Sequence, residues 1–180
     1  MIDVTILAGV LGLLVGSFLN VCIVRWPAGE SVVTPRSRCP RCGNMIAWYD
    51  NIPVFSWVML RAKCRRCKLP IPARYPLVEL VVGIAWAWFA WTQGATVEAL
   101  RGALFITILV GIAMSDAREF IIPDEFSIGG TVVGLVMALP YVGGALAFSD
   151  AVIGAAAGFI LLSAIGVVGR KAFGREAVPS

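Results

Sequence analysis

Four cysteines in two pairs are the residues with the most distinctive chemistry. Cys39-Pro40-Arg41-Cys42 and Cys64-Arg65-Arg66-Cys67 are C-x-x-C knuckles, and the gap between them is close to that of a four-cysteine zinc ribbon. A tight turn in each knuckle brings two thiolates to one side, and two knuckles complete a tetrahedron around a borderline-soft cation. The flanking arginines help to keep the thiols deprotonated. Disulfides would need an oxidising compartment, and a thioredoxin-like redox motif would need one knuckle rather than two. The spacing therefore predicts structural zinc on Cys39, Cys42, Cys64 and Cys67, with no position open for a catalytic water. Histidine is absent, so acid–base chemistry falls to carboxylates and metal binding to thiolates.

Three carboxylates stand beside long apolar runs. Asp116 directly follows the run that ends in Met114-Ser115. A carboxylate at a membrane boundary is costly to desolvate, which makes it a functional candidate. A solvated residue just past a helix end is the competing reading, and the local sequence supports both equally. Asp124 follows Pro123 and reads as a helix N-cap. Glu79 lies near the start of another run, where it could pair with a basic residue or line a polar cavity. Ser17 and Asn20, in Gly16-Ser17-Phe18-Leu19-Asn20, read as hydrogen-bonding partners between helices. Cys22, the fifth cysteine, reads as a packing residue.

These residues need a scaffold, and composition says which. Of 180 residues, 59% are hydrophobic and 14% charged, whereas soluble domains are nearer half apolar and a quarter charged. The excess falls in five runs, residues 4–24, 77–91, 97–115, 126–148 and 151–168. They predict an all-α polytopic membrane protein with about five transmembrane helices. The first run has no basic stretch before it and no cleavage site after it. It ends in Arg25-Trp26-Pro27, so it reads as a retained span rather than a signal peptide. Pro140 and Gly143-Gly144 interrupt the fourth, where a helix ends or kinks. Residues 1–24 thus form the first span, residues 25–74 a Cys-rich basic insert, and residues 75–180 a second membrane-embedded region. The net charge of +4 comes from basic residues beside spans, which points to a bilayer rather than nucleic acid. With the N-terminus outside, every Lys and Arg except Arg101 faces the cytoplasm, and Arg101 can snorkel to the outer interface. No internal repeat is visible. Gly129, Gly130, Gly134, Gly154 and Gly158 predict close helix packing in the last two spans.

Four ordered motifs resemble the prepilin peptidases. They are Gly16-Ser17-Phe18-Leu19-Asn20-Val21 followed by Arg25 and Pro27; the paired knuckles around Asp50-Asn51-Ile52-Pro53 and Ser56-Trp57; Arg74-Tyr75-Pro76-Leu77-Val78-Glu79; and Asp116 eight residues before Asp124 in Ile121-Ile122-Pro123-Asp124. The resemblance implies a membrane aspartic protease at the cytoplasmic face of the bacterial inner membrane. Such an enzyme removes the short basic leader from type IV prepilins and from the pilin-like proteins of type II secretion. Many members also methylate the new N-terminus with S-adenosylmethionine. The resemblance puts the first catalytic aspartate on Asp116 and the family's loop Pro-Asp on Asp124. It assigns no S-adenosylmethionine pocket. The family's second aspartate lies in a Gly-x-Gly-Asp motif after the fifth span, where this sequence reads Gly174-Arg175-Glu176-Ala177-Val178-Pro179-Ser180. An aspartic protease needs two carboxylates that share a proton. The expectation is therefore the front part of the enzyme, inactive alone: a truncated gene product, one half of a split enzyme whose second chain supplies the missing aspartate, or part of a longer sequence. A membrane module that only binds prepilin or an assembly partner, and a methyltransferase-only remnant, are the alternatives.

Overall fold

The computed structural model describes residues 2–139 and 148–173, and the described protein is helical. Its helices are α1 (Ile2–Arg25), α2 (Phe55–Met59), α3 (Arg74–Gln93), α4 (Val97–Glu119), α5 (Asp124–Met137) and α6 (Phe148–Phe173). A single 3-10 turn, Trp48–Asn51, precedes α2. Among the described residues, β-pairing is limited to two isolated bridges, Arg38 with Met45 and Lys63 with Pro70.

Among the described residues, four helices are long and apolar enough to cross a membrane: α1, α3, α4 and the Phe148–Val168 part of α6. A continuous helix satisfies its own backbone polar groups, as hydrocarbon requires. About five were expected, and the described part of the fourth run holds α5, 14 residues long. At 1.5 Å per residue that is about 21 Å, short of a hydrocarbon core of about 30 Å. Pro140 and Gly143-Gly144, the expected interruption, lie outside the described residues. At the end of α4 the helix continues beyond the apolar run. Phe120, at φ 55°, closes it by donating its N–H to the Asp116 carbonyl at 2.9 Å, a left-handed C-terminal stop. Asp116 is thus in the last turn of α4 and not in the loop after it.

The chain divides into two compact units, Met1–Gly130 and Thr131–Ser180. The second holds the end of α5 and all of α6. In the first, α1 packs on α3 at backbone distance. A Cβ added at Gly16 would lie 2.8 Å from the Glu79 Cα, and one at Gly12 would lie 2.9 Å from the Gly83 Cα. Lipid offers no hydrophobic drive between helices, so such small-residue contacts and the polar bonds beside them hold spans together. Leu19, Cys22 and Ile23 of α1 meet Val78 and Val82 of α3 and Phe126 of α5 in the core. Cys22 is the packing residue it was expected to be. Asn20 donates to the carbonyls of Gly16 at 3.3 Å and of Tyr75 at 3.0 Å, and Trp86 donates to Thr107 at 3.0 Å between α3 and α4. Gly102 and Gly111 of α4 leave room for the rings of Phe89 and Phe126.

Among the described residues of the first unit, a Cβ added at Gly129 would meet nothing within 4 Å, and one at Gly130 would meet only Ile108. A glycine permits a close approach but does not choose the partner, and the partner found is the α1–α3 pair. Gly16→Leu is expected to cost about 1–3 kcal/mol through overpacking, while Gly129→Leu stays within about 0.5 kcal/mol. Chemical unfolding of the two variants in one detergent checks the contrast.

Candidate functional site

The two knuckles fold as copies of one unit. Cys39 N–H donates to the Asn44 carbonyl and Gly43 N–H to the Cys39 carbonyl, both at 2.9 Å; Ile46 N–H reaches the Ser37 carbonyl. The same three bonds recur from Cys64 to Leu69, from Lys68 to Cys64 and from Ile71 to Ala62. Gly43 at φ 69° and Lys68 at φ 60° make the same left-handed step. The insert therefore repeats one turn, although no repeat is visible in the sequence. Arg38-Cys39-Pro40-Arg41-Cys42 and Lys63-Cys64-Arg65-Arg66-Cys67 share only the pattern basic-Cys-x-Arg-Cys with an isoleucine four residues on. Two short, imperfect copies carry too little identity to stand out in sequence.

This repeat brings the four sulfurs together. Cys39, Cys42, Cys64 and Cys67 are all free thiols, with their Sγ atoms within 4.8 Å of one another and Cys39 Sγ 4.0 Å from Cys67 Sγ. A thiolate tetrahedron with 2.3 Å metal–sulfur bonds has edges of about 3.8 Å, so the donor set fits a metal ion. Local fields favour one thiolate and oppose a second. The backbone N–H groups of Cys67 and Arg66 bring Cys64 down to about 7. At Cys67 the Leu69 N–H favours the thiolate, but desolvation and the neighbouring thiols outweigh it and push the group up to about 11. A dication at the centre would relieve that repulsion.

Around the knuckles the insert is held by a few polar ties. Arg65 grips Asp50 with two bonds, 2.7 and 2.6 Å, and this guanidinium holds the Asp50 carboxyl below its ordinary value. Trp57 donates to the Ile71 carbonyl at 3.1 Å. Arg25, at the end of α1, donates to the carbonyls of Ser31 and Pro35, both at 2.8 Å. That arginine shapes the insert's entry as well as ending a span.

Glu79 is buried, only 8% exposed, and its partner belongs to the insert. The Val54 N–H donates to Glu79 Oε2 at 2.7 Å, and Ser17 is a second polar neighbour. A basic side chain had been expected as one possibility; a backbone amide takes that place. Val54 sits at φ 59°, ψ −51°, with Phe55 N–H closing onto the Pro53 carbonyl. This is a γ-turn of the rare positive-φ kind, strained for a β-branched residue. Sequence reasoning missed Val54. The only local signal was the Pro53 before it.

Asp116 and Asp124 are both exposed, and no hydrogen bond or ion pair joins their carboxylates among the described residues. Ser115, directly before Asp116, is fully buried, and its hydroxyl has no partner among the described residues. One residue is about 100° of helix turn, so α4 turns Ser115 inward and Asp116 away. Pro123 accepts the first bonds of α5 from Phe126 and Ser127. Asp124 is therefore a first-turn residue near the positive helix end, one place beyond the expected cap. A cavity of about 240 Å³ opens between α1, α3 and α4, lined among others by Asn20, Arg74, Tyr75 and Arg118, and Asp116 is not part of its lining. Glu79→Ala is expected to loosen the insert by about 1.5–3 kcal/mol, because it leaves a buried amide without its charged acceptor. Glu79→Gln keeps an acceptor oxygen and should lose less. The rate of limited proteolysis within residues 25–74 reads both.

Comparison with known proteins agrees with this architecture. Residues 10–93 match the bacterial peptidase A24 N-terminal domain, and residues 103–176 match the type IV leader peptidase family. A prepilin leader peptidase/N-methyltransferase of Myxococcus xanthus is 47% identical over 94% of this chain and 50% of its own length. Proteins of the same name from Pectobacterium carotovorum and Klebsiella pneumoniae are each 35% identical, over 94% and 93% of this chain and 68% and 75% of their own lengths. The chain thus spans half to three quarters of these relatives. No solved structure matches it.

Proposed function

We propose that this chain, which belongs to the type IV leader peptidase family, carries one of the two catalytic carboxylates of a prepilin leader peptidase. Asp116 is that carboxylate. The observation that supports it most directly is its place: exposed, in the last turn of a membrane helix, at the same end of α4 as the Pro123-Asp124 loop. Peptide hydrolysis by carboxylates needs one group to take a proton from water and another to hold a proton on the scissile carbonyl. Asp116 supplies one role. A Gly-x-Gly-Asp segment outside these 180 residues, on the same polypeptide or a second one, supplies the other. Asp124 orients the loop through the dipole of α5. N-methylation of the new N-terminus with S-adenosylmethionine is the second activity we assign, without residues. The alternatives, a binding-only module and a methyltransferase-only remnant, predict no leader cleavage in any completed form.

Zinc is the ion we assign to Cys39, Cys42, Cys64 and Cys67, on the strength of four convergent thiols and no histidine. Bound there, it would join the two knuckles and leave no open position for catalysis. The insert carries ten Lys and Arg against Glu30 and Asp50. We therefore place it on the cytoplasmic side of the inner membrane, with the N-terminus outside. The substrate is a prepilin or pseudopilin.

Three outcomes test these assignments. Purified protein should hold roughly one equivalent of zinc, and Cys64→Ser should lose it; zinc-free protein with disulfides would refute the site. In intact cells an impermeant thiol reagent should modify a cysteine placed at Gly94 and spare one placed at Glu30; the reverse pattern inverts the topology. In the enzyme completed with its Gly-x-Gly-Asp segment, Asp116→Asn should abolish the mobility shift of a prepilin, and Asp124→Asn should only slow it. Full activity of Asp116→Asn would remove the residue from the mechanism.

A further inference from the structure

A groove of about 370 Å³ runs between α1 and the insert. Leu14, Phe18 and Val21 form its α1 wall, and Val33, Arg36 and Trp48 are prominent on the insert wall. Its apolar side chains are open: Phe18 is 52% exposed, Val33 80% and Trp48 73%. Three observations on this groove point to one kind of occupant.

The first is depth. α1 is a membrane-crossing helix that ends at Arg25, and Leu14 lies about 16 Å from that end at 1.5 Å per residue. The α1 wall therefore belongs to a surface that faces acyl chains. The insert reaches down beside it, as the Val54–Glu79 bond also shows, since Glu79 is inside α3 and not at its start. The second is charge. Arg25 is committed to the carbonyls of Ser31 and Pro35. Arg36 is exposed and makes no hydrogen bond or ion pair among the described residues. No acidic residue lines the groove. The third is continuity. The exposed apolar face of α1 shares the groove with the insert's Trp48, and an indole is the side chain that headgroup level favours.

From these we propose that the groove is a binding site for one anionic phospholipid, with its phosphate on Arg36 and an acyl chain along Leu14, Phe18 and Val21. The basic insert raises the local concentration of anionic lipid, and Arg36 selects among headgroups. This goes beyond the peptidase reading and does not depend on it.

Native mass spectrometry of the full chain, with phosphatidylglycerol and phosphatidylcholine of identical acyl chains, tests it. The protein should retain one phosphatidylglycerol in preference to phosphatidylcholine. Arg36→Gln should reduce that preference about fivefold, the effect of one basic residue near an anionic surface. Arg36→Lys should keep it, and Arg61→Gln, exposed but outside the groove, should leave it unchanged. Trp48→Ser should weaken retention of both lipids. Equal retention of the two lipids, or an Arg36→Gln protein with full preference, overturns the proposal. Displacement of the lipid by inorganic phosphate would show a soluble-anion site instead. A photoreactive side chain at Val33 should form lipid adducts in vesicles; adducts only with protein would assign the groove to a partner helix. Neither readout needs a prepilin or a methyl donor.

Discussion

A carboxylate buried in a membrane helix must find a hydrogen-bond donor, and much of this protein is arranged around the donor that Glu79 finds. Hydrocarbon offers none, and an unsatisfied polar group there costs several kcal/mol. The donor is the Val54 amide, presented by a strained turn. At the same level Gly16 lets α1 come within backbone contact of Glu79. A side chain at Gly16 would push α1 away, and a relaxed turn at Val54 would withdraw the amide. The insert is thereby locked to the α1–α3 pair, and the four clustered thiols acquire a defined position relative to the spans.

The insert needs that support because it has little core of its own. Trp48, Phe55, Val58 and Met59 are all exposed, and a unit of this size buries too little apolar surface to stand alone. Its order comes instead from pairwise devices: two identical knuckle turns, the Arg65–Asp50 fork and the Arg25 clamp on its entry. A metal ion on the four thiols would join the two knuckles at one point, which is how small ribbons usually compensate for a missing core. Exposed aromatics and a dense positive charge then fit a surface that lies against headgroups rather than in bulk water.

The geometry of α4 sets how a peptidase could be completed. The helix faces its neighbours through Ala103, Thr107, Gly111 and Ser115, all buried. That stripe recurs every four residues, and Asp116 falls outside it. A carboxylate turned away from the α1–α3 side is free to meet a second carboxylate arriving from another element. The same extension of α4 to Glu119 shortens the loop to Asp124, so the two aspartates flank a tight connection rather than a long one.

Much of this was legible in residue order, because the information was local. A span needs about twenty consecutive apolar residues, so α1, α3 and α4 announced themselves to within a few positions. A four-thiolate site needs two close pairs, so Cys39, Cys42, Cys64 and Cys67 could be grouped before any fold was known. Asp116 and Asp124 were marked by their places beside apolar runs and by the family motif. What tertiary structure decided was every choice of partner. Within the first unit Gly16 rather than Gly129 became the close contact, because a missing Cβ matters only where another backbone arrives. Glu79 met a backbone amide, which has no sequence signature. The knuckle repeat appeared only in hydrogen-bond register, since a turn is specified by backbone angles that Gly43 and Lys68 can both adopt at different cost.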